Sequence, residues 1–282
     1  MSYIQLVECP RDAMQGISKF ISTDDKIKYI NSLIQVGFDI IDFGSFVSPK
    51  FVPQMKDTEI VLSKLKTTNT TSLLSVVVNK QGAAKANSFP QIKYLGYPFS
   101  ISETFQLRNS NKTLLDSLLL VEDIQNMCFN SNQELVVYIS MAFGNIYNDK
   151  YSISILLEYI QKLIQLGIKN FTLADTVGVA TKKDIYNIFL ELKKIDSISF
   201  GLHLHTESHN ALEKIDAAWS AGCRRFDSTI RGFGGCPFAK NELIGNVSTE
   251  TLINFIQTKK IKHKLNILAL ETAYNNSMNI FR

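Results

Sequence analysis

Strand-like apolar runs and helix-patterned stretches alternate through the whole chain, and that rhythm restricts the fold more than any other feature. The runs lie at residues 4–8, 38–42, 72–78, 91–97, 134–141, 170–174, 195–205 and 224–227. Helical periodicity follows at 23–35, 57–65, 80–88, 112–127, 152–166, 182–194, 210–220 and 249–258, with a helical tail from about residue 266. Strands this uniformly apolar suit a parallel sheet covered by helices on its outer side. Eight such units close naturally into an α/β fold, the (β/α)8 TIM barrel, here with a C-terminal helical extension. An open, doubly wound sheet is the alternative, but no GxGxxG follows the first strand. No composition break marks a linker, so residues 1–282 read as one domain.

Charge and cysteine usage narrow the function classes. The net charge is only +4, with lysines interspersed among acids. The basic tract at 259–264 has no interleaved aromatics, so nucleic acid is not an expected partner. The four cysteines, Cys9, Cys128, Cys223 and Cys236, form no CxxC pair, which argues against a zinc knuckle or a disulfide framework. No run reaches about 18 uncharged apolar residues, so no membrane association is expected. Residues 1–20 carry acids and a proline in place of a secretory hydrophobic run, and a cytoplasmic protein is expected.

Candidate reactive groups cluster at the C-terminal ends of the strands, which in a barrel converge on one mouth. In Gly201-Leu-His203-Leu-His205, strand alternation places both imidazoles on one face and Leu202 and Leu204 on the other. The pair suits a shared metal ion; two hydrogen-bonded histidines packed near a strand end are the plainer reading. Asp12, after the first strand, completes a two-histidine, one-carboxylate set, or serves as a helix or turn cap. Such a set accepts a divalent cation with open positions for substrate oxygens. Mg²⁺ or Mn²⁺ is favoured if the remaining ligands are oxygens, and Zn²⁺, Co²⁺ and Fe²⁺ are compatible with the same residues.

Arg11 can neutralise charge developing on a carbonyl or enolate oxygen, or simply pair with Asp12. Asp42 can act as a base, orient one, or accept a structural hydrogen bond at the end of the second strand. Asp175-Thr176 suits support of a histidine or of the barrel rim. The loop Arg231-Gly-Phe-Gly-Gly-Cys236-Pro can approach a ligand closely and carries a thiol able to transfer a proton. The other three cysteines read as core. Asn246 offers an amide oxygen to a metal, or a cap, while Ser248 or Thr249 suits the N-cap of the next helix. His209 and His263 read as surface residues.

Together these residues resemble hydroxymethylglutaryl-CoA lyase, within the metal-dependent barrel family that also contains isopropylmalate and homocitrate synthases. The marks are Pro10-Arg-Asp12 with Gln15, Ser45-Phe-Val-Ser-Pro-Lys50 with Val52-Pro-Gln-Met55, Ser102-Glu-Thr-Phe105, Ala174-Asp-Thr-Val-Gly178, His203-Leu-His205, and Gly232-Phe-Gly-Gly-Cys-Pro237 followed by Gly245-Asn246 and Thr249-Glu250. The resemblance implies a single catalytic, pyruvate carboxyltransferase-like barrel. Its reaction is cleavage of 3-hydroxy-3-methylglutaryl-CoA to acetyl-CoA and acetoacetate, as in leucine breakdown. It also implies an acyl-CoA substrate, a homodimer, and Asp12, His203, His205 and Asn246 as metal ligands. Arg11 would stabilise the enolate, Cys236 would transfer a proton, and Glu250 matches a position the family uses in the same site. Three departures stand out: Ala13-Met14 where the family has Gly-Leu, Asp42 where the lyase has glutamate, and Thr206-Glu-Ser after the histidines. A related aldolase or condensing enzyme, and a non-catalytic acyl-CoA-binding barrel, are the competing readings.

Overall fold

The computed structural model describes residues 3–235 and 244–281. Eight parallel strands close into a barrel in sequence order: β1 (Gln5–Glu8), β2 (Ile40–Ser45), β3 (Ser72–Val76), β4 (Ile92–Ser100), β5 (Glu134–Ser140), β6 (Asn170–Asp175), β7 (Ser199–Leu204) and β8 (Arg225–Ser228). Closure comes from β8 pairing with β1, which sets Gln5 opposite Arg225 and Val7 opposite Asp227. Helices α1 (Pro10–Gln15), α2 (Thr23–Val36), α3 (Thr58–Ser63), α4 (Lys80–Asn87), α5 (Glu103–Ser110), α6 (Leu114–Asn130), α7 (Ile153–Gln165), α8 (Lys182–Leu192), α9 (Ser208–Ser220), α10 (Thr249–Thr258) and α11 (Ile267–Ile280) occupy the connections and the tail. Among the described residues, no helix is long and apolar enough to cross a membrane.

Strand alternation divides the apolar side chains into two cores. Val7, Cys9, Ile40, Leu74 and Val136 pack inside the barrel. Leu6, Ile41, Leu73, Leu202 and Leu204 belong to the larger core between sheet and helices. Each covering helix contributes one stripe, as α7 does with Leu156, Ile160 and Leu163 at i, i+4 and i+7. Helix starts are fixed by side chains that accept a backbone N–H three residues on: Ser22, Asn79, Ser102, Thr113, Ser152, Thr181 and Ser248. Each such cap stabilises its helix by about 1 kcal/mol.

Two short helices were not anticipated from sequence pattern. In α1, Pro10 occupies the first helical position, where its fixed φ suits the helix and its missing N–H costs nothing. In α5, Ser102 caps a segment with too few apolar residues to show a period. The second strand also runs later than expected, so Asp42 sits inside β2 and not at its end.

One polar contact ties the barrel's closing edge together. Glu8 is fully buried; it accepts the N–H of Ile230 at 2.8 Å and the Thr249 hydroxyl at 2.6 Å. Burial pushes its carboxyl up to about 8.

At the opposite end of β7, the space left by Gly201 holds the Arg225 guanidinium. Arg225 donates to Ser199 Oγ at 3.2 Å, to Thr172 Oγ1 at 2.9 Å and to the Phe171 carbonyl. A Cβ on Gly201 would lie 2.5 Å from Arg225 Nε. Gly201→Ala should therefore destabilise the barrel by about 1–3 kcal/mol through overpacking, seen as a melting temperature several degrees lower. An unchanged melting temperature would contradict this packing.

Candidate active site

The short helix α1 lies across the mouth and brings Arg11, Asp12 and Gln15 over the strand ends. From β2 comes Asp42, from β7 His203 and the following His205, and from β8 Asp227. A fifth piece is the segment leading to α10. It forms an antiparallel bridge, His205 with Asn246, and a parallel one, Thr229 with Ser248, and so carries Asn246 to Asp12.

Alternation along β7 produces the expected pair of imidazoles. The rings lie 4.9 Å apart between centroids, with Nε2 to Nε2 at 3.3 Å. A carboxylate oxygen of Asp12 and one ring nitrogen from each histidine all lie within 4.8 Å of one another, and all three residues are buried. His203 Nδ1 is 3.1 Å from Asp227 Oδ2. A carboxylate can only accept, so Nδ1 carries the proton and the Nε2 lone pair points at His205. This is the arrangement in which a carboxylate fixes the tautomer of a metal-binding histidine.

Electrostatics favour the same use. Burial, with the neighbouring His203 charge, lowers His205 to about 4, so its ring is neutral near pH 7 and able to ligate. Burial opposes charge on His203, but the Asp227 hydrogen bond and charge, with Asp12, outweigh it and raise its pKa. Burial likewise opposes charge on Asp12, yet Arg11 and the two histidines hold it below the usual carboxylate range. An anionic oxygen beside two imidazole nitrogens at this separation fits a divalent cation. Asn246 donates its amide N–H to Asp12 Oδ2 at 2.6 Å and to the Phe233 carbonyl at 2.9 Å. A half-turn of the amide would present its oxygen to the same space.

Arg11 lies between two acids. Its guanidinium contacts Asp42 Oδ2 through Nε at 2.9 Å and Nη2 at 2.5 Å, and reaches Asp12 Oδ1 at 3.1 Å through Nη1. Gln15 bridges the same groups, accepting from Arg11 at 2.9 Å and donating to Asp12 at 2.8 Å. Asp42 keeps one oxygen, Oδ1, buried without a hydrogen-bond partner. Burial pushes this carboxyl up to about 6; Arg11 opposes the shift, and the charges of Asp12 and Asp227 add to it.

The family model for HMGL-like proteins matches residues 4–276, almost the whole barrel. The chain belongs to the hydroxymethylglutaryl-CoA lyase family. A cytoplasmic 3-hydroxy-3-methylglutaryl-CoA lyase of Danio rerio is 31% identical over 275 residues, covering 96% of this chain and 81% of that protein. A hydroxymethylglutaryl-CoA lyase of Bacillus subtilis is 29% identical over 265 residues, covering 94% and 88%. Among solved structures, an HMG-CoA lyase from Acinetobacter baumannii in complex with coenzyme A and 3-methylmalate is similar with TM-score 0.91 and 30% identity, covering 99% of this chain and 91% of that one.

Against this lyase-family background the remaining candidates divide. Arg11, Asp12, Asp42, His203, His205 and Asn246 meet at the mouth. Cys236 lies outside the described residues. Gly234, just before it, packs so tightly that a Cβ there would be 2.5 Å from Asn246 Nδ2 and 3.0 Å from Asp12 Oδ2. Glu250, in the first turn of α10, accepts the Arg231 N–H at 3.1 and 3.2 Å through its two oxygens. With Asn246, Arg231 and Tyr274 it lines a cavity of about 650 Å³. Asp175 braces the rim, accepting the N–H groups of Val179 at 2.9 Å and Ala180 at 3.0 Å, with Lys214 at 3.8 Å. His209 is exposed beside Glu207, and His263 accepts a local N–H from Leu265.

Sequence reasoning passed over Asp227. The signal was present: two residues after Arg225 on the last strand, it shares the inward face that β7 gives to His203. Asp227→Asn keeps the shape but weakens the hold on the His203 tautomer. It should lower the affinity for Mn²⁺, measured by titration calorimetry, about 10–100-fold while leaving the melting temperature of metal-depleted protein nearly unchanged. Parent-like affinity would show that Asp227 does not set the ligand's orientation.

Proposed function

We propose that the chain cleaves 3-hydroxy-3-methylglutaryl-CoA to acetyl-CoA and acetoacetate with Mg²⁺ or Mn²⁺. The reading is carried by the buried Asp12–His203–His205 cluster standing beside an arginine held between Asp12 and Asp42. The lyase names of the relatives support it, as does the coenzyme A complex of the Acinetobacter baumannii enzyme. Three free, buried thiols, Cys9, Cys128 and Cys223, support a cytoplasmic setting.

Asp12, His203, His205 and the amide oxygen of Asn246 would hold the divalent ion. Bound there, it supplies Lewis-acid polarisation of the substrate's hydroxyl and carboxylate oxygens. Asp42, through its unpartnered Oδ1, takes the proton of the C3 hydroxyl. The O–H electrons form the new ketone of acetoacetate as the C2–C3 bond breaks. Its electron pair passes to the thioester as an enolate, whose oxygen the Arg11 guanidinium stabilises. Cys236 then returns a proton to C2, giving acetyl-CoA. Asp42 is one methylene shorter than the glutamate of the resemblance, and its contacts with Arg11 hold the carboxylate in place.

The deciding assay supplies metal-loaded protein with 3-hydroxy-3-methylglutaryl-CoA and measures acetoacetate, which should appear with Mg²⁺ or Mn²⁺ and vanish with chelator. Condensation of acetyl-CoA with a 2-oxo acid, without acetoacetate release, would instead identify a related synthase. The pH profile tests the base. Burial holds the Asp42 carboxyl at about 6 without metal, and a bound cation would lower it. Thus kcat/KM should rise with pH as the carboxylate forms, through a limb at or below that value. In Asp42→Asn, turnover should fall roughly 10²–10⁴-fold and that acidic limb should disappear. An unaltered limb would assign it to another group.

A further inference from the structure

Inside the barrel, a second set of metal-binding atoms shares one imidazole with the set at the mouth. Cys9 follows β1, and its N–H donates to the Ser228 carbonyl at 2.9 Å, which ties it to β8. It is the N-cap residue of α1, yet its side chain makes no capping hydrogen bond. The thiol is instead free and lies among the residues that pack inside the barrel, 1% exposed. The Cys9 sulfur, a carboxylate oxygen of Asp227 and a ring nitrogen of His203 all lie within 4.8 Å of one another.

Two details set this cluster apart from ordinary core packing. Asp227 directs Oδ2 to His203 Nδ1 at 3.1 Å, but its Oδ1 is buried without a hydrogen-bond partner. A carboxylate oxygen left in that state is costly, and a cation beside it removes the cost. The surroundings are also poor in other ligands. Val7, Leu74 and Val136 pack around Cys9, and the Tyr138 ring stands edge-on to His203 at 6.2 Å between centroids. Thiolate sulfur, imidazole nitrogen and carboxylate oxygen together suit Zn²⁺ or Co²⁺, whereas Mg²⁺ and Mn²⁺ prefer oxygen.

We propose that Cys9, His203 and Asp227 form a second, thiolate-containing site for Zn²⁺ or Co²⁺, and that filling it disables the site at the mouth. Sharing His203 is what makes the two exclusive. In the set at the mouth, Nδ1 keeps its proton on Asp227 and Nε2 is the ligating nitrogen. An ion in the lower set takes Nδ1, so the neutral ring must carry its proton on Nε2, 3.3 Å from His205 Nε2. That proton is donated to the His205 lone pair, and both nitrogens are lost to an ion above. The balance is one ion gained and one proton released, that of the Cys9 thiol, while the imidazole proton moves from Nδ1 to Nε2 by exchange with water. The lower site needs nothing from the lyase reaction. Its exclusion of the upper ion rests on the metal ligands proposed for that reaction.

The test uses the full chain carrying Cys236→Ser, so that the thiol of the glycine-rich loop adds no signal. Co²⁺ titrated into the metal-free protein should give a sulfur-to-cobalt charge-transfer band in the near ultraviolet. Adding Cys9→Ser should abolish that band, and so should Cys9→Ala. X-ray absorption of the Zn²⁺ form, which needs no further variant, should show a sulfur neighbour at about 2.3 Å. Exclusion is read from Mn²⁺. Its free-ion paramagnetic resonance signal should return as Zn²⁺ is added, and with Cys9→Ser the same release should need roughly tenfold more Zn²⁺. A missing band, a band that survives loss of the Cys9 sulfur, or a zinc shell without sulfur would each overturn the site. Mn²⁺ that stays bound while the lower site fills would overturn the exclusion. Should the chain bind no Mn²⁺ at all, the ligand set proposed for the lyase fails separately, and the cobalt band still decides the lower site.

Discussion

The pairing of β8 with β1 is the constraint on which the rest of the molecule depends, because it makes inward and outward faces inescapable for all eight strands. With Val7 set opposite Asp227, both side chains face the interior, and the neighbouring β7 must do the same with Gly201 and His203. A slip of one residue would turn His203, Asp42 and Asp227 toward the helices, where Leu202, Leu204 and Phe226 now pack. The apolar core between sheet and helices therefore does more than stabilise the fold. By demanding Leu202 and Leu204 outside, it forces His203 inside and delivers His205 to the mouth.

That placement gathers an excess of negative charge. With both imidazoles neutral, Asp12, Asp42 and Asp227 contribute three charges against one from Arg11, leaving −2 in a buried space. Such a sum is costly in a medium that solvates charge poorly. Protons can relieve it, and the raised values of Asp42 and His203 express that tendency. A divalent cation would relieve it in full and leave the Asp42 carboxylate ionised. The site thus couples metal affinity to the protonation of a carboxylate that is not itself one of the metal's candidate ligands.

Much of this was legible from residue order. Periodicity gave eight strands and the helices between them, and the spacing of His203 and His205 declared a common face. What escaped had physical reasons. In α1, six residues are too few to display a period, so the sequence places Arg11 and Asp12 only after the first strand, whereas a short helix presents them. Asp42 was displaced because apolar residues continue past it on both sides, and only the pairing with β3 sets the end of the strand. Asp227 belongs to the pattern only once β7 and β8 are known to be neighbours. Asp175 offered two uses, and its hydrogen bonds to Val179 and Ala180 show the bracing one.

The tail helix links to the site in a way that sequence order conceals. Phe281, at the end of α11, stacks on Phe233 at 4.7 Å and meets Tyr29 of α2 edge-on at 5.8 Å. Its carbonyl accepts from Arg231 at 3.1 Å. Arg231 holds a left-handed backbone, φ 65°, which L residues adopt at a cost, and Glu250 secures its N–H. These contacts fix the turn from which Gly234 reaches Asp12 and Asn246. Gly234 leaves no room for a side chain there, so the turn that the tail holds packs directly against Asn246 and Asp12. The C-terminal helix therefore touches the site through one aromatic stack and one strained arginine, besides the Tyr274 ring that lines the cavity with Asn246 and Glu250.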